Sequence, residues 1–262
     1  MGPRARHTFY GVAVTRAASF APVDVVARTL RVELAAARSR RGGAAPRVLD
    51  VGGGSGTWAV PLAAEGCEVT VVDSSANALA VLHSRAREAG VDAGVRAIQG
   101  DVDALADAVD TEADLVLGHG LLEYVDDPAE ACRAMAGAAA PGGAVSLLVA
   151  GRFAAVLSRV VAGRLTEARQ VLVDPHGRWG EGDPLRRRMD VEEIRTLVEA
   201  GGQLTVERVQ GHRVLADLVP DGVLEPGGAS SDPLAELEDI AAGTPPLRDM
   251  ASRLHVLARR PG

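Results

Sequence analysis

The chain has no lysine: all 28 basic residues among its 262 are arginine. A GC-rich coding bias accounts for the usage, and the chemistry it removes is the same whatever the cause. Without a side-chain amine no Schiff base can form, so pyridoxal phosphate enzymes are excluded. The phosphate loop ending in Gly-Lys-Ser/Thr is excluded too. Aromatic residues are only 3%, so the core must be built from Ala, Val and Leu, which suit tight helix-on-sheet layers. Cysteine is limited to Cys67 and Cys132. Two free thiols fit a reducing cytoplasm better than a disulfide scaffold. No apolar run reaches the roughly 18 residues needed to span a membrane, and Arg16 interrupts the short apolar stretch near the N-terminus, against a signal peptide. The six histidines are scattered, with no pair at metal-ligand spacing. A net charge of −7 excludes a nonspecific nucleic-acid binder, although a local arginine patch can still hold phosphates.

What is present is an alternation. Residues 23–41 have helical spacing and a basic end, which suits a helix C-terminus. After the break "GGAAP", short apolar runs at 47–52, 68–73, 94–101, 113–120 and 144–151 read as strands, with helical segments between them. This predicts an α/β fold with a parallel sheet and helices on both faces. Residues 1–45 read as an N-terminal helical cap, with residues 1–20 poorly ordered or lid-like. Residues 46–262 read as one domain carrying an insertion at 152–189. The insertion holds a helical stretch, the loop "DPHGRWGEGDP" and the run Arg186, Arg187, Arg188. A helix at 190–202 and strand-like runs at 204–215 and 253–260 complete the chain, with part loop and part helix at 219–243.

The stretch "VLDVGGGSGTW" (48–58) places Asp50, Gly52, Gly54 and Gly56 at alternate positions just after the first strand. Glycines at a strand's carboxyl end let a ligand touch the backbone, and the next helix points its N-terminus there. A dinucleotide site wants G-x-G-x-x-G. That pattern fails from Gly52, where Thr57 fills the last position, and fits from Gly54 only with Ala59 last. S-adenosylmethionine has no pyrophosphate and does not need the third glycine. Asp73 ends the second strand, where an acid bonds ribose hydroxyls in either class. Asp101, after the third strand, can accept from an adenine amino group or simply cap a helix.

The segments "VLDVGGGSGTWAVPLAAEG", "VTVVDSS", "GDVDAL", "ADLVLGHGLLEYVDDP" and "PGGAVSLLV" resemble, in order and spacing, the class I S-adenosylmethionine-dependent methyltransferases. The resemblance covers residues 47–149. It implies a Rossmann-like, mostly parallel sheet of seven strands, the last antiparallel and inserted beside the fifth. "GHGLLEYVDDP", "VAGR" and "VQGHRVLADLV" further resemble the bacterial tRNA methyltransferases that esterify the carboxymethoxy group of a wobble uridine. That resemblance implies S-adenosylmethionine as cofactor and a site lined by Gly52, Gly53, Asp73, Asp101, Val102 and His119; Asp50, Gly54 and Ser74, which neighbour these positions, are read as further cofactor contacts. The family also carries a cofactor-binding arginine in its N-terminal helix. Arg28 is the first candidate for it and Arg31 the second. The lysine-rich surface that faces tRNA in the family is reduced here to "LRRRM".

Methyl transfer is an in-line displacement, and the enzyme mainly supplies proximity and alignment. Asp50 can offset the cofactor's positive charge or only brace the loop. A carboxylate acceptor, with a pKa of about 4, needs no base; an alcohol or phenol wants one. His119 is read as a cofactor contact or a base, with Tyr124 as a second catalytic candidate; Glu123 and Tyr124 also suit a plain helix start. The acidic-Pro-Pro-aromatic motif of amide N-methyltransferases is missing, which favours an oxygen acceptor, on a small molecule or a tRNA. Arg152, Arg178, Arg186, Arg187, Arg188, His212 and Arg213 are the expected substrate-side cations, with the insertion as a lid. The arginine run otherwise reads as a solvated face. Two other classes stay open: an NAD-dependent oxidoreductase, without any Tyr-x-x-x-Lys pair, and a non-catalytic cofactor-binding protein.

Overall fold

A computed structural model describes residues 24–109, 112–219 and 231–262. The lid-like reading of residues 1–20 and the loop part of 219–243 lie outside them. Among the described residues seven strands form one sheet: β1 (Arg47–Val51), β2 (Glu68–Asp73), β3 (Val95–Gln99), β4 (Ala113–His119), β5 (Ala139–Ala150), β6 (Thr205–His212) and β7 (Arg253–Arg259). Their order is β3-β2-β1-β4-β5-β7-β6. The pairs among β1 to β5 are parallel, and β7 lies antiparallel between β5 and β6. This is the Rossmann-like sheet expected from the sequence, with the last strand reversed beside the fifth.

The helices are α1 (Val25–Arg40), α2 (Ala59–Ala64), α3 (Ala76–Glu88), α4 (Leu105–Ala108), α5 (Pro128–Ala138), α6 (Arg152–Val161), α7 (Leu165–Val173), α8 (Val191–Glu199) and α9 (Ser231–Gly243). Their starts follow local chemistry. The Asp24 carboxylate accepts from the backbone of Val26 and Ala27 to cap α1. Asp127 caps α5 with Pro128 at its first position, and Asp190 and Glu193 form a capping box on α8. One core packs α1, α2 and α3 against the sheet through Val26, Leu30, Leu62 and Leu82. The other packs α5 and α8 against the opposite face through Met135, Ile194 and Val198. Cys67 and Cys132 are both buried and unpaired.

Two local readings change. The "APGG" stretch, read as a turn after a helix, is already part of β5, which starts at Ala139. The pairing with β4 slips between Ala113 and Leu115, and Gly142 takes φ +72°. An irregular strand entry of this kind carries no period-two signal. The insertion is also more regular than its loop-rich sequence suggests, since α6 and α7 form a helical pair before the loop. No described helix is long and apolar enough to cross a membrane.

Candidate active site

The parallel strands bring the glycine loop, Asp73, Asp101 and His119 to one edge of the sheet, the carboxyl edge. Gly52, Gly54 and Gly56 take φ of +70°, +55° and +78°, a backbone region that side chains disfavour. Gly53 is needed for a different reason: a Cβ there would lie 2.5 Å from the Asp50 carboxylate. The loop is also tied to its surroundings. Gly52 N–H donates to the Val72 carbonyl at 2.7 Å, and Gly54 N–H to Asp73 Oδ2 at 2.8 Å. The other Asp73 oxygen accepts from Ser75 N–H at 2.8 Å. Each carboxylate oxygen keeps a further lone pair for a ligand hydroxyl.

Room for a ligand can be tested at Gly54. A Cβ there meets nothing closer than Asp73 Oδ2 at 3.8 Å. Space therefore lies open between the loop and the carboxylate at the end of β2. A ribose held by Asp73 fits this cradle. Ser74 is exposed beside it, and its carbonyl accepts from Gln99. Asp101 is exposed, and its side chain accepts from Val102 N–H at 2.6 Å, capping a short 3-10 turn; Val102 itself is buried in the core. Asp50 lies beneath the loop, 1% exposed, and its Oδ2 has no partner. Burial, reinforced by the charge of Asp73, pushes its pKa up to about 7.

His119 ends β4. Its ring meets Trp58 edge-on, with centroids 4.6 Å apart. Nε2 lies 2.8 Å from Ser146 Oγ, and the same hydroxyl lies 2.8 Å from Nε2 of His255. Burial and the neighbouring His255 hold the His119 pKa well below its ordinary value. Burial likewise takes His255 down to about 3. Both rings are therefore neutral at pH 7. The serine hydroxyl can donate to one ring and accept from the other, which ties the two tautomers together. Among the described residues no cluster of three His, Cys, Asp or Glu side chains is placed to hold a metal.

Comparison with known proteins decides the class. Residues 48–143 match the methyltransferase domain family. The chain is 28% identical to the tRNA 5-carboxymethoxyuridine methyltransferase of Escherichia coli K12, over 82% of this chain and 80% of that one. It is 34% identical to the ubiquinone biosynthesis O-methyltransferase of Serratia proteamaculans, over 54% of this chain and 62% of that one. A solved S-adenosylmethionine-dependent methyltransferase from Mesorhizobium loti shares the fold, with a TM-score of 0.57 and 21% identity over 89% and 96% of the two chains. The chain is an S-adenosylmethionine-dependent methyltransferase. The dinucleotide reading of the chain falls away, and its cofactor is S-adenosylmethionine. When bound, that cofactor supplies an electrophilic methyl group on a sulfonium.

The cations expected on the acceptor side of this methyltransferase are mostly engaged within the protein. Arg188 is 5% exposed and pairs with Asp183 through two bonds of 2.6 and 3.1 Å. Its guanidinium stacks on Trp179, whose ring Arg159 also covers. Arg187 donates to the carbonyls of Leu122 and Val125 at 2.6 Å each and to that of Asp126 at 3.1 Å. Arg186 pairs with Asp126. Arg152 is buried against Glu193 and the carbonyls of Asp174 and Pro175. The insertion thus holds the loop that follows β4, through side chains and through the bond from Arg186 N–H to the Glu123 carbonyl.

The remaining candidates scatter. Arg178 donates weakly to the Gly180 carbonyl. Arg213 pairs with Asp217, and His212 lies 3.6 Å from Asp24. Arg28 pairs with Asp239 on α9, and Arg31 with Glu65 after α2. Tyr124 is about half exposed in the loop after β4. Three residues at this edge, Ser146, His255 and Arg253, carry no pattern that marks them in the sequence, and Glu123 reads there as part of a helix start. Glu123 is buried, and burial raises its pKa; its Oε1 accepts from Ala150 N–H at 2.8 Å. Ser146, His255 and Arg253 sit on β5 and β7 among apolar neighbours. Only the strand order shows that the first residue of an antiparallel β7 reaches the carboxyl edge.

Proposed function

We propose that this methyltransferase esterifies a carboxylate, of the kind carried by 5-carboxymethoxyuridine in tRNA. The observation that carries the proposal is the state of His119. It is the imidazole nearest the end of β4, and burial makes it a poor proton acceptor. A phenol or alcohol acceptor requires a base of suitable pKa at that position. A carboxylate is already ionised at pH 7 and needs none. With S-adenosylmethionine bound to supply the methyl group, such an acceptor would require no proton transfer, and the chain's own residues would need only to hold and align it. The likeness to the tRNA 5-carboxymethoxyuridine methyltransferase over most of both chains supports the same acceptor.

In this reading Asp73 holds the cofactor ribose, and Asp101 and Val102 meet the adenine. Gly52, Gly53 and Gly54 let the cofactor lie on the backbone, and Asp50 offsets positive charge from beneath. Neutral His119, steadied by Trp58 and Ser146, donates or accepts one hydrogen bond at the methyl-bearing end. The arginines of the insertion hold the loop after β4 at its working position. A small-molecule O-methyltransferase is the second reading, favoured by the likeness to the ubiquinone biosynthesis enzyme. Nucleoside mass spectrometry of tRNA from a deletion strain separates the two. Loss of a methyl ester from the wobble uridine supports the first; an unchanged tRNA profile with an altered metabolite profile supports the second.

A further inference from the structure

We propose that Arg253 is the residue that binds the acceptor's anionic group. The inference rests on the carboxylate acceptor proposed above and names the contact that recognises it. β7 is antiparallel, so its first residue lies at the carboxyl edge, paired with Ala150 at the end of β5. His119 is paired with Leu148 on the other side of β5. Arg253 therefore lies two strands beyond β4, on the side away from the glycine loop and Asp73, where an acceptor must approach the methyl group. Gly120, with φ +74°, lies beside it: a Cβ there would sit in ordinary contact, 3.5 Å from Arg253 Nη1.

Among the described residues the guanidinium has one partner. Nη1 lies 3.4 Å from Glu123 Oε1, an oxygen that already accepts from Ala150 N–H. That contact is long, and Nε and Nη2 have no acceptor among the described residues. The Arg253 side chain is 34% exposed, while that of Glu123 is 3% exposed. Glu123 thus anchors one end of the fork from below, and the rest faces outward. Arg152, Arg186, Arg187 and Arg188 differ, because each is engaged by carboxylates or carbonyls of the protein. A planar guanidinium with free donors takes a carboxylate through two parallel bonds, and an ammonium cannot copy that geometry.

The test uses the full chain saturated with S-adenosylhomocysteine and two probes, phenoxyacetate and its neutral amide, phenoxyacetamide. Calorimetry on wild type, Arg253→Ala and Arg253→Lys gives the affinities. Phenoxyacetate should bind wild type more tightly than the amide does. Arg253→Ala should lose about 10- to 100-fold of that affinity, the range for a charge-assisted hydrogen bond. Arg253→Lys should fall between them. Cofactor affinity and unfolding midpoint, measured on each variant, report whether the fold is intact. If Arg253→Ala does not fold, Arg253→Lys alone decides, since it keeps the charge and loses the fork. Equal binding of the two probes to wild type, or of phenoxyacetate to wild type and the folded variants, overturns the proposal. Turnover with tRNA bearing the free carboxymethoxy group is measured in parallel. Failure there with the probe result intact removes tRNA as acceptor and leaves the anion site standing.

Discussion

Replacing Asp50 by asparagine tests how the cofactor loop is built. The carboxylate is buried under Gly53, one of its oxygens has no partner, and its pKa is raised to about 7. The unfolded chain titrates this group near 3.8. Between those values the folded protein holds a proton that the unfolded chain has released. Wild-type stability must therefore fall as pH rises from 4 to 7, and the full cost is present above 7. At 1.36 kcal/mol per unit, the part lost between pH 5 and pH 8 is about 3 kcal/mol. Asparagine has the same shape and does not titrate. Its amide nitrogen takes over the unpartnered position, which costs about 1–3 kcal/mol at every pH. The absolute change is a difference of two similar terms, but its pH dependence is not. Urea unfolding of both proteins without cofactor should show the variant gaining about 3 kcal/mol on wild type between pH 5 and pH 8. A stability difference that stays constant over this range, or moves in wild type's favour, refutes the reasoning.

Three further perturbations follow from contacts in the structure. Asp73→Ala should weaken S-adenosylmethionine binding by about 1.5–3 kcal/mol in calorimetry, since it removes charge-assisted bonds to the ribose and frees the Gly54 amide; unchanged affinity takes Asp73 out of the site. Gly54→Val should abolish cofactor binding, because its side chain fills the space before Asp73 and strains a φ of +55°; normal binding would move the cofactor elsewhere. Arg188→Ala leaves Asp183 buried and unpaired, and should cost about 3–5 kcal/mol in denaturant unfolding while sparing cofactor affinity; a loss under 1 kcal/mol would contradict the buried pair.

The sheet was legible because each parallel strand is an apolar run closed by a glycine or an acid. "EVTVVD" ends at Asp73, and "ADLVLGHG" runs to the glycine that follows β4. The glycine loop was legible for the same reason, since positive φ at Gly52, Gly54 and Gly56 leaves few residue choices. The acceptor side was not. Arg186, Arg187 and Arg188 form one run in sequence, yet an extended chain sends neighbouring side chains in different directions. One pairs with Asp126, one grips three carbonyls and one is buried on Asp183. Arg28 lies on the expected helix but pairs with Asp239, which is 211 residues away in the chain. His255, Ser146 and Arg253 lie within ordinary strand sequence, and their meeting depends on strand order. Local pattern reports the elements, while long-range partners decide which charges remain open.

The activity proposed for this chain is methyl transfer to a carboxylate on tRNA. The most direct measurement incubates the purified chain with methyl-labelled S-adenosylmethionine and tRNA bearing free 5-carboxymethoxyuridine, followed by nucleoside mass spectrometry. One labelled methyl ester on the wobble uridine is expected for each S-adenosylhomocysteine released, lost on mild alkaline hydrolysis. Label on a base nitrogen or a ribose oxygen, or no label on tRNA while a small phenol is methylated, would contradict it.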